Sequence, residues 1–154
     1  MNSAIFNSAE PQVRLAYVNL FARDIEALSG FYMALFGFAE IVGHRSPIYR
    51  CIDAGGIELG FNAGKAYELL ELTRRKPQAG PAPVTAYFTF EASSPAAVDE
   101  LARRAVALGG AVVKPVYTTY YNAQQVVLTD PEQNVFRVNH RMGARVPVAA
   151  DHFD

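Results

Sequence analysis

The chain has 154 residues, 51% hydrophobic and 19% charged, which is enough apolar material for a buried core and too little charge for a disordered chain. Its 14 lysines and arginines stand against 15 acids, so no net field favours a nucleic-acid backbone or an anionic membrane surface. Met1–Pro11 lacks a basic start and an apolar run, and no window approaches the ~20 apolar residues of a membrane span, so a cytoplasmic protein is expected.

After an N-terminal tail over 1–12, Val13–Phe21 alternates Leu15, Tyr17, Asn19 and Phe21 against Ala16, Val18 and Leu20, the two-residue period of a strand with one wet face. Asp24 offers an N-cap carboxylate to a helix carrying Ile25, Leu28, Phe31, Tyr32 and Leu35 at helical spacing, and Gly37 closes it. Phe38–Gly43, Ile48–Ala54 and Ile57–Asn62 read as three short strands, the last two joined by a Gly55-Gly56 hairpin turn. This first module spans 13–63. Lys65–Arg75 is compatible with a short helix inside a linker over 64–83, which the prolines between Pro77 and Pro83 close.

The same order then repeats over 84–140. Val84–Phe90 reads as a strand, Ser94-Pro95 opens a helix with Val98, Leu101, Ala105 and Leu108 on one stripe, and Gly109-Gly110 ends it. Ala111–Tyr117, Gln124–Thr129 and Val135–Asn139 complete the strands, with Asp130–Asn134 as the turn before the last. Residues 141–154 read as a C-terminal tail or an arm across a partner. Two copies at this spacing imply pseudo-twofold symmetry rather than a solenoid, and each unit is too small to bury much by itself.

Asp24, Phe31-Tyr32, Leu35-Phe36-Gly37-Phe38, Ile57-Glu58-Leu59 and Asp130-Pro131-Glu132-Gln133-Asn134-Val135-Phe136, in this order on a duplicated unit, resemble the glyoxalase/bleomycin-resistance/extradiol dioxygenase (vicinal oxygen chelate) superfamily over residues 13 to 140. The resemblance implies an α+β fold of two βαβββ modules, a curved mixed sheet or half-open barrel with helices outside. It also implies homodimers, because such modules often complete their barrels across two chains. Members that bind a divalent metal use side chains on the first and last strands of each module. Carried onto this sequence, those positions hold Tyr17, Glu58, Thr85 and Arg137, of which only Glu58 suits a transition metal, while Arg137 is a permanent cation. No metal or other cofactor is therefore expected, and Glu58 and Arg137 are expected to form an ion pair in its place.

The resulting expectation is a protein that binds a small aromatic or amphipathic molecule in a metal-free cleft lined by Tyr17, Asn19, Glu58, Thr85, Tyr87, Tyr117, Tyr120, Tyr121 and Arg137. The alternative is a lyase- or isomerase-type catalyst in which Glu58 takes a proton and Arg137 or Tyr17 steadies an oxyanion. A metal-dependent glyoxalase or dioxygenase remains if the alignment slips, and a purely structural dimer module is the third option. Cys51 reads as a packed thiol with no histidine near it in sequence, and His44 and His140 as possible acid–base groups or ordinary strand-end residues.

Overall fold

A computed structural model describes residues 11–143. Its elements run β1 (Tyr17–Phe21), α1 (Ile25–Phe36), a 3-10 turn (Val42–His44), β2 (Tyr49–Asp53), β3 (Glu58–Asn62), α2 (Lys65–Leu69), a second 3-10 turn (Thr73–Arg75), β4 (Phe88–Glu91), α3 (Pro95–Ala107), β5 (Ala111–Thr118), β6 (Ala123–Thr129) and β7 (Val135–Arg141). The expected tails lie largely outside the described residues.

Local chemistry sets the helix ends. Asp24 Oδ1 accepts from the Glu26 and Ala27 amides at 3.1 and 2.9 Å, and Gly37, at φ 74°, returns its N–H to the Met33 carbonyl. Ser94 caps α3 through the Ala97 amide at 3.1 Å, with Pro95 in the first turn.

The strands form two open sheets, ordered β1-β3-β2 and β4-β7-β6-β5. In each, the opening strand lies parallel against the module's last strand: β1 on β3 with Tyr17 opposite Glu58, and β4 on β7 with Thr89 opposite Arg137. The hairpin joining β2 to β3 is tight because Gly55 and Gly56 both take positive φ, 85° and 107°, which a side chain would oppose.

Three elements differ from the sequence reading. Phe38–Gly43 is not a strand; a single bridge, Glu40 to Ile52, remains. The chain then curls through the 3-10 turn, and Arg45 folds back onto Glu40 with two hydrogen bonds of 2.8 and 2.6 Å. The predicted strand at Val84–Phe90 shortens to β4, because the ladder on β7 begins only at the Phe88–Phe136 pair. Lys65–Arg75 is broken into α2 and a 3-10 turn, with Glu71 at φ 57° between them.

One apolar cluster joins both modules: Leu28, Phe31, Tyr32 and Leu35 of α1, Ile52, Leu59 and Phe61 of the first sheet, and Val126, Leu128, Phe136 and Val138 of the second. The Tyr32 ring lies 5.8 Å from Phe61 and 5.5 Å from Phe136, so α1 touches both sheets. Its hydroxyl donates to Asp130 Oδ2 at 2.7 Å, and Asp130 also accepts from the Glu132 and Asn134 amides. Burial pushes the Asp130 carboxyl above its ordinary range, against the pull of those donors. Each sheet turns one face to this cluster. By strand alternation, Tyr17, Asn19, Cys51 and Glu58 stand on the first sheet's outward face, and Thr89, Gln125, Arg137 and Asn139 on the second's.

Candidate functional site

The first outward face is organised around a missing side chain. Gly60, in the middle of β3, faces Cys51 across the ladder, and a Cβ there would lie 2.2 Å from Asn19 Oδ1 and 2.5 Å from the Tyr49 hydroxyl. Tyr49 uses that space to lean across the strand toward Asn19. A hollow of about 450 Å³, lined by Tyr17, Asn19, His44 and Tyr49, opens above.

At its edge, Glu58 Oε2 lies 3.7 Å from His44 Nδ1 and 3.7 Å from Cys51 Sγ. Cys51 is fully buried, and that burial raises its thiol pKa. Burial, followed by the hydrogen bond to Cys51, likewise pushes the Tyr49 phenol up. The sequence reading selected Tyr17, Asn19 and Glu58 here but gave Cys51 a packing role, with no histidine beside it. The signal was present in the hairpin: with Gly55-Gly56 as the turn, Cys51 and Glu58 fall on the same face of adjacent strands. His44 was not recoverable that way, because the 3-10 turn delivers it.

The second outward face carries a continuous polar network. Tyr117 donates to Gln125 Oε1 at 2.5 Å, Gln125 Nε2 donates to Tyr121 at 2.6 Å and to Asn139 Oδ1 at 2.9 Å, and Asn139 Nδ2 donates to Glu91 at 2.7 Å. Arg137 donates from Nε to Thr89 at 2.9 Å and from Nη1 to Gln125 at 3.4 Å, and its guanidinium lies 4.8 Å from the Tyr87 ring centroid. Burial raises the Tyr117 pKa. Gln125, fully buried and central to the network, and Asn139 were both missed. Asn139 stands two residues beyond Arg137 on the same strand, which was legible as a shared face.

Two expectations need correction. Thr85 is exposed and outside β4, three residues before the ladder begins at Phe88. Tyr17 precedes its helix cap Asp24 by seven residues, and Tyr87 precedes Ser94 by the same seven. Tyr87 is therefore the counterpart in the second module, and it meets Arg137 as a ring rather than a hydroxyl. The expected Glu58–Arg137 pair is not formed. Among the described residues no hydrogen bond or ion pair joins them, because each faces outward on a different sheet, with the common core between.

Of the remaining candidates, Tyr120 is 57% exposed and packs edge-on against Tyr121, with 5.0 Å between centroids. His140 is tied through Nδ1 to the Ala92 carbonyl at 2.8 Å, a structural link between β7 and the end of β4. A larger groove of about 630 Å³, bordered by Phe21, Tyr67, Lys76 and Glu132, contains none of the residues selected from sequence. The metal positions of the resembled family hold a phenol, a carboxylate, a second phenol and a guanidinium, a donor set that does not fit a shared divalent ion.

Residues 14–138 match the profile of the Glyoxalase/Bleomycin resistance protein/Dioxygenase superfamily. A crystal structure of a glyoxalase/bleomycin resistance protein/dioxygenase family enzyme from Burkholderia phytofirmans PsJN is 45% identical, with a TM-score of 0.80 over 84% of this chain and 100% of that one. A glyoxalase-related enzyme from Fulvimarina pelagi (20% identity, TM-score 0.71, 88% and 96% covered) and a lactoylglutathione lyase from Agrobacterium tumefaciens (23%, 0.60, 85% and 96%) share the fold. A search of curated protein sequences returns no match.

Proposed function

Because the chain belongs to the Glyoxalase/Bleomycin resistance protein/Dioxygenase superfamily, whose profile covers residues 14–138, we propose that it binds a small aromatic or amphipathic molecule bearing an anionic group, in a site completed by a second copy of itself. The observation that carries this is Arg137: a guanidinium laid on Tyr87, held by Thr89 and Gln125, with no carboxylate among the described residues ion-paired to it. Such a group is preset to accept a carboxylate or similar anion from outside. The flat part of the ligand would rest in the hollow of Tyr17, Asn19 and Tyr49.

The two faces point away from one core, so one chain cannot close them on each other. A second chain placing its Arg137 face over the hollow would close the cleft, with the anionic group of the ligand on Arg137 and its flat part against Tyr17 and Tyr49. Calorimetric titration with a panel of aromatic carboxylates tests the reading: at least one should bind, and Arg137→Gln should weaken it about 10- to 100-fold, the worth of one hydrogen bond to a charged group. A panel without a binder, or equal binding by the variant, rejects it.

A catalytic reading has one observation in its favour, the His44 imidazole 3.7 Å from Glu58, which could steady a carboxylate that abstracts a proton. Glu58→Gln separates the two readings, since it would abolish turnover in an enzyme and only alter affinity in a binder.

A further inference from the structure

We propose that His44, Cys51 and Glu58 form a binding site for a zinc-like divalent ion, held entirely within the first module. It is distinct from a site shared between modules, for which Tyr17, Tyr87 and Arg137 supply no suitable donors. One ligand atom from each of the three residues lies within 4.8 Å of the other two. The separations from Glu58 Oε2 are 3.7 Å to His44 Nδ1 and 3.7 Å to Cys51 Sγ. A tetrahedron with metal–ligand bonds of about 2.0–2.3 Å has edges of about 3.3–3.8 Å. Two edges of that figure are therefore already in place, and the third needs a contraction of at most about 1.5 Å by the same arithmetic.

The donors differ in kind, which separates this cluster from an ordinary patch of acids. Thiolate, imidazole and carboxylate together suit a borderline ion such as Zn²⁺ and suit Mg²⁺ or Ca²⁺ poorly. Their supports are also independent. Cys51 and Glu58 sit on β2 and β3, joined by the tight hairpin, with the Cys51–Gly60 and Asp53–Glu58 pairs fixing register. His44 stands on a turn anchored by Ile41 N–H to the Cys51 carbonyl at 2.8 Å and His44 N–H to the Ile41 carbonyl at 3.0 Å. The turn carrying the imidazole is thus bonded to the backbone of the thiol's own residue. His44 also lines the hollow shared with Tyr17, Asn19 and Tyr49, so a fourth position opens toward water or an organic ligand. Binding would replace the thiol proton by the metal and release that proton to solvent.

The test is titration of tag-free, chelator-treated protein with Co²⁺, read by absorption. The expected result is a near-ultraviolet thiolate-to-cobalt charge-transfer band with strong visible bands, saturating at one ion per chain and displaced by Zn²⁺. Cys51→Ser should remove the charge-transfer band, and His44→Gln should weaken binding by at least about tenfold, the cost of losing even a supporting contact. Should Cys51→Ser fold poorly, the exposed His44 variant carries the test alone. No charge-transfer band under excess Co²⁺, or a band indifferent to His44→Gln, overturns the proposal. Because the metal alone is the probe, either outcome leaves the organic-ligand reading to be judged by its own titration.

Discussion

Gly60 illustrates how a single missing atom shapes the first face. Its neighbours Asn19 and Tyr49 occupy the volume a Cβ would need, at 2.2 and 2.5 Å. Gly60→Ala should therefore push Tyr49 aside, narrow the hollow and cost about 1–3 kcal/mol of overpacking, measurable by urea denaturation. An unchanged midpoint together with unchanged ligand affinity would show that Tyr49 is free to move. At this scale the sequence was partly legible. The parity of Cys51, Glu58 and Gly60 follows from the Gly55-Gly56 turn, and Tyr87 follows from counting seven residues back from Ser94. Thr85 came from carrying over the family's first-strand position and lies outside β4, whereas the helix cap Ser94 is the better anchored landmark.

Among the elements, the Asp130–Asn134 turn is more than a connection into β7. Glu132 accepts hydrogen bonds from the Arg23 amide at 2.6 Å and the Asp24 amide at 3.1 Å, and its carboxylate lies 3.6 Å from Arg23 Nε. A turn of the second module thus satisfies two backbone donors at the mouth of α1 in the first. Glu132→Ala would leave those amides to water and loosen the joint, a destabilisation of about 1–3 kcal/mol, with amide hydrogen exchange rising first near Arg23 and Asp24. Exchange rising equally throughout the chain would instead point to global weakening with no joint at this place. The capped helices and the glycine hairpin were readable because their signals are local. The strand expected at Phe38–Gly43 was not, since its fate depends on Glu40 meeting Arg45 and Arg50, which no period reveals. Glu40 is held below the ordinary glutamate range, first by its hydrogen bonds to Arg45. That contribution to stability is present in full above the unfolded glutamate pKa and fades as pH falls through the lowered folded value.

For the whole molecule, the duplicated order of elements was legible because each half repeats the same caps and stops, whereas the orientation of the halves was not. Symmetry suggested that Glu58 and Arg137 meet; the shared core turns them outward instead. Light scattering of the purified protein at micromolar concentration should give twice the 16.8 kDa chain mass, and Arg137→Glu should shift it toward the monomer by setting like charges against Glu58. A monomer in the unmodified protein would remove the composite site. No helix among the described residues is long and apolar enough to cross a membrane. The placement of one apolar cluster behind two polar faces has a wider result. Exchanging residues on one surface leaves both the interior and the opposite surface nearly untouched in energy, since distant sites add almost independently. Thiol and imidazole on one side, guanidinium and amides on the other, can thus be retuned separately, so new recognition can arise on either half without the scaffold being renegotiated.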